Sequence, residues 1–272
     1  MSKTLARILT GFVRTATAWQ SGWRGAGTRL RVSQALIENS TVATHMGSLI
    51  FRSTHPQSLE YPSALLSREP DTIAWIDGFE APFVFWDVGA NVGAYVLYAG
   101  LRPGASVIAF EPAAASYAAL SENIRINQMD GRIDAYCIAL SGTTKAGHLN
   151  MHNVNAASVA HAFDSLATST GEAITPQFRQ AVIGYGADDF LESFQVPAPN
   201  YLKIDVDSIE IKILTGAELI LQSPNLKGVL VEAEGAPERL GAIRSLVTDA
   251  GFEEVSPAGA GNMIFARKSV AS

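Results

Sequence analysis

An acid followed by a glycine-rich turn lies between residues 84 and 94, and this stretch is the first place where chemistry is expected. The apolar run Val84–Val88 contains Asp87 and leads into Gly89-Ala90-Asn91-Val92-Gly93, after which a helical pattern begins. Such a strand–turn–helix junction places free backbone N–H groups at the carboxyl edge of a parallel sheet. Open α/β sheets bind their ligands at this edge, so the stretch predicts a ligand site.

Two kinds of adenosine-containing ligand compete for this turn. A dinucleotide site has the pattern G-x-G-x-x-G, whose middle glycine lets a pyrophosphate approach the backbone. Asn91 takes that middle position here, and the Asp87 carboxylate would repel a pyrophosphate. S-adenosylmethionine has no phosphate, and its sulfonium and ammonium groups favour a nearby carboxylate. The turn therefore favours the methyl donor, and an NAD-dependent oxidoreductase is the less favoured alternative. The residues predicted to bind the donor here are Asp87, Gly89, Ala90, Asn91 and Gly93.

A second acid follows the next apolar run, Ser106–Phe110, in the pair Glu111-Pro112. An acid about 20 residues after a glycine turn is placed to accept hydrogen bonds from ribose hydroxyls. NAD proteins share this feature, so it does not separate the two ligands. We predict that Glu111 and Pro112 contact the cofactor; the alternative is that Glu111 merely precedes a helix-starting proline.

A third group of acids lies where the run Tyr201–Ile204 ends. Asp205 and Asp207 share one face of this strand end, and Glu210 falls in the next helical turn, while Lys203 could pair with the group. Acids beside a transferred methyl group could orient or deprotonate a hydroxyl, or hold an Mg²⁺ ion that acidifies it. The alternative is that they stabilise the helix N-terminus. We predict catalytic roles for Asp205, Asp207 and Glu210, and cofactor contact for Asp205 as well.

Five short motifs in this order resemble the FkbM family of S-adenosylmethionine-dependent methyltransferases, many of which act on hydroxyl groups of sugars and polyketides. The resemblance covers residues 40–267 and implies a class I methyltransferase fold, with the adenine near Ala139. It also implies O-methylation of a sugar, polyketide or related small molecule or glycan. The motifs are Asp87–Gly93, Ala109–Pro112, Asn123–Asn127, Ala139–Ser141 and Lys203–Asp207.

The last motif departs from the family pattern, which is usually Asp-Val-Glu-Gly-x-Glu. Asp207 replaces the glutamate and Ser208 replaces the glycine. Loss of the glycine suggests an altered backbone geometry at this turn. The departure keeps a further alternative open, namely a protein that binds S-adenosylmethionine without catalysis.

Alternating apolar strands and amphipathic helices must position these residues. The order predicts an α/β fold of the Rossmann-like class I type, with a mostly parallel seven-stranded sheet and helices on both faces. A terminal antiparallel pair closes the sheet, and Glu232 and Glu234 lie at its functional edge. The predicted strands are 83–87, 106–111, 133–139, 201–205, 227–232, 252–255 and 262–266; the predicted helices are 92–101, 113–127, 209–222 and 236–250.

The predicted domains are an N-terminal extension, residues 1–80, and a methyltransferase domain, residues 81–272. The extension holds a basic amphipathic helix, a hairpin at 41–53 and a short helix that begins near Glu69. Glu69 is expected to cap this helix or face solvent, and the alternative is that it reaches the cofactor. Residues 142–187 are predicted as an inserted loop that covers the acceptor site. This loop has three histidines, but their spacing matches no zinc pattern, so no metal ligands are predicted, and one histidine could act as a general base.

Residues 1–30 are basic and free of acids, and their apolar residues recur at helical spacing on one face. Three interpretations remain: a helix that docks on the catalytic domain, a helix that lies on an anionic membrane surface, or a targeting segment.

Composition limits the classes of function. The net charge of −6 and the pI near 5.4 argue against a general nucleic-acid binder, so the expected partner is a small-molecule or glycan acceptor. The single cysteine, Cys137, allows no internal disulfide and is consistent with the cytoplasmic location that we expect. No apolar stretch reaches the length of a membrane span.

Overall fold

The computed structural model describes residues 2–158, 161–165, 175–232, 234–256 and 261–268. The chain forms two compact units, Met1–Asn39 and Ser40–Ser272. Part of the predicted N-terminal extension, residues 40–80, therefore folds in the same compact unit as the sheet. No helix in the described ranges has the length and apolarity needed to cross a membrane.

The helices, in chain order, are α1 (Ser2–Ala16), α2 (Gly22–Ala35), α3 (Glu60–Ala64), α4 (Pro70–Asp77), α5 (Ala94–Gly100), α6 (Ala114–Ile126), α7 (Ala187–Phe194), α8 (Glu210–Thr215), α9 (Glu218–Gln222) and α10 (Pro237–Asp249), with a short 3-10 helix at Pro56–Leu59. The strands are β1 (Asn39–Thr44), β2 (Gly47–Arg52), β3 (Phe83–Val88), β4 (Ala105–Phe110), β5 (Ile133–Tyr136), β6 (Ala139–Ser141), β7 (Lys145–Met151), β8 (His161–Phe163), β9 (Phe178–Gly186), β10 (Tyr201–Asp205), β11 (Gly228–Glu232), β12 (Phe252–Glu254) and β13 (Asn262–Arg267).

The main sheet of the larger unit has seven strands in the order β12-β13-β11-β10-β3-β4-β5. All neighbouring pairs from β11 to β5 are parallel, whereas β13 is antiparallel to both β11 and β12. The chain runs outward from β3 through β4 to β5 and then returns to place β10 on the other side of β3. This order is that of a class I methyltransferase, so the predicted fold class is confirmed. The reversal between β3 and β10 marks the sheet edge where a ligand is expected.

Both faces of this sheet are covered by apolar side chains. Trp86 packs with Phe110 and Phe190 on one face, and Phe85 belongs to the core on the opposite face with Val107. A strand buried on both faces has a nearly continuous apolar sequence, which explains why β3 could be recognised from its composition. Helices α5 and α6 cover the second face, so the acids at the strand ends are held by a rigid core.

The hairpin β1–β2 is tied to α6 by two asparagine side chains. Asn127 accepts a hydrogen bond from the Ile50 N–H at 2.8 Å and donates one to the Ile50 carbonyl at 2.7 Å, while Asn123 accepts one from the Arg52 N–H at 2.9 Å. These contacts attach the hairpin to the larger unit.

The prediction of an inserted loop at 142–187 is wrong for the described residues of this region. They contain most of a second sheet, which has four strands in the order β6-β9-β7-β8. The strand pattern was not evident in the sequence because these strands contain glycines. Two of the glycines make room for the ring of Phe163. A Cβ atom on Gly184 would lie 2.5 Å from that ring, and one on Gly147 would lie 2.7 Å from it. The predicted strand 133–139 likewise ends at Tyr136, and β6 belongs to the second sheet.

The predicted helix 209–222 consists of two short helices, α8 and α9, which are separated at Gly216 and Ala217. A Cβ atom on Gly216 would lie 2.4 Å from the Ser141 carbonyl oxygen, so the chain passes closer to β6 than other residues allow. Asp188 then accepts hydrogen bonds from the N–H groups of Leu219 and Ile220 at 2.8 and 3.0 Å. A close approach and a new N-terminal cap thus interrupt the helix.

Candidate active site

A cavity of about 330 Å³ opens at the carboxyl ends of β3, β4, β10 and β11. The ends of four parallel strands meet here, as expected for the switch point of such a sheet. The structure brings together most of the predicted site residues in the lining of this cavity: Asp87, Gly89, Ala90, Asn91, Glu111, Pro112, Asp205, Asp207 and Glu210. Gly93 and Ala139 are not among the lining residues.

The turn after β3 lies in close contact with the end of β10. Gly89 has a φ of +90°, and a Cβ atom at this position would lie 1.8 Å from the Asp205 carbonyl oxygen. Gly93 also has a φ of +90°, and its Cβ atom would lie 2.5 Å from Leu120. Both glycines are therefore needed for the path of the backbone, one against a strand end and the other against α6.

Glu111 is held at the end of β4 by two backbone donors. Its Oε2 atom accepts a hydrogen bond from the Asn91 N–H at 2.8 Å, and its Oε1 atom accepts one from the Ala113 N–H at 2.7 Å. Burial raises the pKa of Glu111 to about 7, even though these hydrogen bonds favour the ionised form. The carboxylate is thus fixed in orientation, and each oxygen keeps a second lone pair that could accept a ligand hydroxyl.

The Asn91 side chain connects the turn with two other segments. Its Nδ2 atom donates to the Tyr61 hydroxyl at 2.9 Å and to the Ser158 carbonyl at 3.4 Å. Asn91 has a φ of 50°, a conformation that asparagine tolerates better than most residues. Burial raises the pKa of Tyr61 to about 12, so its hydroxyl remains protonated. The middle position of the turn is therefore occupied by a side chain that fixes the cavity wall.

A buried lysine lies between two of the acids. Lys203 is 1% exposed, and its Nζ atom lies 2.5 Å from Asp205 Oδ2 and 3.8 Å from Asp87 Oδ1. Burial alone would lower the pKa of Lys203, but the charges of Asp205 and Asp87 raise it above its usual range. Burial raises the pKa of Asp87 to about 6. For Asp205, burial raises the pKa, but the Lys203 charge together with hydrogen bonds from Glu232 and Lys203 outweighs burial, so the pKa lies below the usual value. Asp205 is therefore ionised at neutral pH.

Three carboxyl groups converge beside this lysine. Atoms of Glu69, Asp205 and Glu232 lie within 4.8 Å of one another. Burial raises the pKa of Glu232 to about 8, and its hydrogen bond with Asp205 adds to this shift. Glu232 thus carries a proton at neutral pH that it can donate to Asp205. Burial also raises the pKa of Tyr95, which hydrogen-bonds to Glu69. Lys203 and the Glu232 proton therefore offset part of the negative charge of this cluster.

The two remaining catalytic candidates have different environments. Asp207 is exposed and lines the cavity, and its Oδ2 atom accepts a hydrogen bond from the His161 N–H at 2.9 Å. Glu210 is 2% exposed and forms an ion pair with Arg239, which also donates to the Ser208 carbonyl at 3.0 Å. This contact makes Glu210 the charge partner of an arginine on α10, although its side chain also borders the cavity.

The backbone at Ser208 does not show the altered geometry suggested by the loss of glycine. Ser208 has a φ of +84°, the left-handed region that glycine favours. Its Oγ atom is buried and has no hydrogen-bond partner among the described residues. The turn therefore keeps a glycine-like path in spite of the serine.

A small apolar pocket of about 30 Å³ lies beside the main cavity, and Ala139 is part of its lining. It shares Gly89, Pro112 and His161 with that cavity. Its other walls are aliphatic and aromatic, including Phe110 and Leu140. The position expected for a planar adenine is thus apolar and continuous with the acidic cavity.

Several residues at the cavity had no signal in the sequence. Tyr61 and Arg68 come from the segment between the hairpin and α4, and Tyr95 lies on α5. Glu69, for which capping a helix or facing solvent was the favoured prediction, is part of the acid cluster. Glu232 and Glu234 were predicted at this edge of the sheet, since they follow a parallel strand, and both line the cavity. Among the histidines of the second sheet, His161 borders the cavity, and the described residues contain no histidine cluster suited to a metal ion.

Comparison with known proteins finds a matching family model and several relatives. A family model described as the methyltransferase FkbM domain matches residues 87–254. The chain is 28% identical over 198 residues to 31-O-demethyl-FK506 methyltransferase FkbM of Streptomyces tacrolimicus, covering 64% of this chain and 74% of that protein. It is 29% identical over 174 residues to hexuronic acid methyltransferase AglP of Haloferax volcanii, covering 64% of this chain and 66% of that protein. A crystal structure of methyltransferase FkbM from Methylobacillus flagellatus matches with a TM-score of 0.47 and 14% identity, covering 78% of this chain and 55% of that chain.

Proposed function

This chain belongs to the FkbM methyltransferase family, and on that premise we propose that it transfers the methyl group of S-adenosylmethionine to a hydroxyl of a sugar, a polyketide or a related small molecule or glycan. The name of one relative gives an O-demethylated acceptor and that of another a hexuronic acid, and both support an oxygen acceptor.

The observation that carries the proposal is the arrangement of acids around the Gly89 turn. Asp87, Glu111 and Asp205 come from three neighbouring strand ends and line one cavity. Asp87 Oδ1 is buried and accepts no hydrogen bond from any described side chain or backbone group, since Lys203 Nζ is 3.8 Å away. A buried carboxylate oxygen in this state fits a cationic group of a ligand and would repel a phosphate.

The residues of the cavity suit the parts of S-adenosylmethionine as follows. Glu111 would accept the ribose hydroxyls, Asp87 would face the positively charged methionyl side, and the apolar side chains around Ala139 would border the adenine. When bound, the cofactor supplies a methyl group already activated by its positively charged sulfur. The protein therefore needs mainly to align the acceptor and exclude water.

The acceptor hydroxyl would be positioned by the acids beyond the turn. Asp205 is ionised at neutral pH and could accept a hydrogen bond from the hydroxyl, while protonated Glu232, which donates to Asp205, would hold that carboxylate in place. Asp207 faces the same cavity and is the second candidate base. Glu210 is the weakest of the three predicted catalytic acids because its charge is paired with Arg239.

Ligand binding provides the first test. Isothermal titration of the full chain with S-adenosylhomocysteine and, separately, with NADH should show micromolar binding of the first ligand only. Asp87→Asn and Glu111→Gln should weaken it strongly, whereas Asp130→Asn, in an exposed turn, should leave it unchanged. Binding of NADH would overturn the proposal.

Turnover provides the second test. Transfer of a labelled methyl group should be measured against panels of uronic acids, neutral sugars and hydroxylated polyketides. Asp205→Asn should reduce turnover on any accepted substrate. Cofactor binding with no transfer to any panel member would instead indicate a non-catalytic S-adenosylmethionine-binding protein.

A further inference from the structure

We propose that the N-terminal unit binds an anionic membrane surface through the apolar face of α1. The proposal concerns where the protein works and is independent of its methyltransferase activity. It rests on an exposed apolar stripe, on the charge of the unit and on two exposed tryptophans.

The apolar stripe lies along one side of α1. Leu5, Ile8, Leu9 and Phe12 are 58%, 64%, 56% and 71% exposed. Counted from Leu5, they stand at positions i, i+3, i+4 and i+7, so they share one face of the helix. Four large apolar side chains exposed together are a contiguous patch of the kind that marks an interaction surface.

The unit lacks an apolar core that could make it stable by itself. Among its described residues, the only buried ones are Thr17 and Gly25. The contacts of α2 with the segment that follows α1 are polar: Arg29 donates to Thr17 Oγ1 at 3.1 Å, and Thr28 donates to Gln20 Oε1 at 2.7 Å. A short helix of this kind is marginal in water, so another apolar phase is needed to cover its exposed face.

The positive charge of the N-terminal unit indicates that this apolar phase is the interior of an anionic membrane. The first 37 residues contain six lysines and arginines and no acid, whereas the rest of the chain has the remaining 14 basic residues and all 26 acids. Lys3, Arg7 and Arg14 lie on the side of α1 opposite the apolar stripe. Their long side chains can extend to the headgroup level while the stripe enters the acyl boundary. The segment therefore has the character of an interfacial helix.

Two tryptophans lie at the junction between the helices. Trp19 and Trp23 are 80% and 79% exposed. Tryptophan is enriched at the interface between membrane and water, where its ring is at the depth of the headgroups. Since the helices are too short to cross a bilayer, the geometry indicates a helix lying in the plane of the surface.

Vesicle sedimentation tests the proposal with the purified full chain. Phosphatidylcholine vesicles with phosphatidylglycerol should bind the protein, and phosphatidylcholine alone should bind it at least about tenfold more weakly. Added salt should weaken the binding, and tryptophan emission should shift to shorter wavelength on binding. Ile8→Ser with Phe12→Ser should reduce partitioning at least about tenfold. Arg7→Gln with Arg14→Gln should reduce partitioning onto anionic vesicles but not onto phosphatidylcholine vesicles.

The control carries the same kind of change elsewhere. Leu219 and Val255 are exposed apolar residues of the larger unit, so Leu219→Ser with Val255→Ser should not alter partitioning. An unchanged urea unfolding midpoint would show that each variant keeps a folded larger unit, and either N-terminal variant suffices if the other does not fold. Absence of binding to anionic vesicles would overturn the proposal, as would binding that survives both N-terminal variants. An oligomer that dissociates only in the Ile8/Phe12 variant, without lipid, would assign the stripe to a second copy of the chain and also overturn it.

Discussion

Lys203 Nζ lies 2.5 Å from Asp205 Oδ2, and the lysine that makes this contact is one of the most completely buried side chains of the protein. A second carboxylate, Asp87, lies on the other side at 3.8 Å. One cation thus stabilises two acids from neighbouring strands, β3 and β10. The acids at this edge can remain ionised in an apolar surrounding because of this lysine.

Replacement of Lys203 by methionine should therefore destabilise the protein and abolish ligand binding. The variant leaves buried Asp87 and half-buried Asp205 without their cation. Loss of one partner costs about 3–5 kcal/mol in fully buried pairs, and we expect a smaller loss here because Asp205 is partly solvated. Urea unfolding measures the first effect, and titration with S-adenosylhomocysteine measures the second. Lys227→Met is the control, because Lys227 pairs with exposed Glu80 and its loss should leave both measurements close to those of the wild type. Equal effects of the two variants would contradict a special role for Lys203.

Gly89→Ala should disrupt the contact between the turn and the end of β10. The added Cβ atom would lie 1.8 Å from the Asp205 carbonyl, and the φ of +90° is itself unfavourable for alanine. We expect a loss of about 3 kcal/mol in the free energy of unfolding and no measurable binding of S-adenosylhomocysteine. Gly131→Ala provides the comparison, because a Cβ atom on that glycine would have no other atom within 4 Å and its φ lies outside the left-handed region. Wild-type binding in Gly89→Ala would show that the close approach is not needed.

The pH dependence of ligand binding should follow the raised pKa values of Asp87, about 6, and Glu111, about 7. An acid with a higher pKa in the folded state binds protons more tightly when folded. The free energy of unfolding of the ligand-free protein should therefore decrease as the pH rises from the ordinary values of 3.8 and 4.5 through 7. Affinity for S-adenosylmethionine should increase over the same range, because its positive charge favours the ionised carboxylates.

Titrations between about pH 4.5 and 8.5, which extend about 1.5 units beyond these two values, test this expectation. S-adenosylhomocysteine lacks the sulfonium charge, so its affinity should rise less steeply than that of S-adenosylmethionine. Glu111→Gln should remove the part of the increase near pH 7. Parallel pH profiles for the two ligands would argue against a carboxylate that faces the sulfonium group.

Ser208→Gly should stabilise the protein. The serine has a φ of +84°, a conformation that costs a residue with a Cβ atom about 1 kcal/mol or more relative to glycine. Its buried hydroxyl also has no partner within the described ranges, so its removal is favourable. We expect a net gain of about 1 kcal/mol in urea unfolding, reduced by the greater freedom of glycine in the unfolded chain. Ser208→Ala removes only the hydroxyl, so the difference between the two variants isolates the backbone contribution. A Ser208→Gly variant no more stable than Ser208→Ala would contradict the assignment of strain.

Local residue order was sufficient to predict the Gly89 turn, the position of Glu111 and the alternation of strands and helices. These features depend on neighbouring residues: a positive φ calls for glycine, and a strand buried on both faces calls for a continuous apolar run. The acids at the strand ends could then be placed at one edge of the sheet, because parallel strands share the same direction. These acids are Asp87, Glu111 and Asp205.

Packing between distant segments set the remaining features. Glu69 approaches Asp205 and Glu232 only because α4 lies against the sheet, and Arg239 pairs with Glu210 only because α10 packs beside α8. The second sheet could not be predicted from the sequence for the same reason, since its glycines lie where the Phe163 ring needs space. Spacing along the chain carries no information about such contacts, which depend on side-chain volume and burial in three dimensions. These contacts determine which acids are paired, which are protonated and which remain available to a ligand.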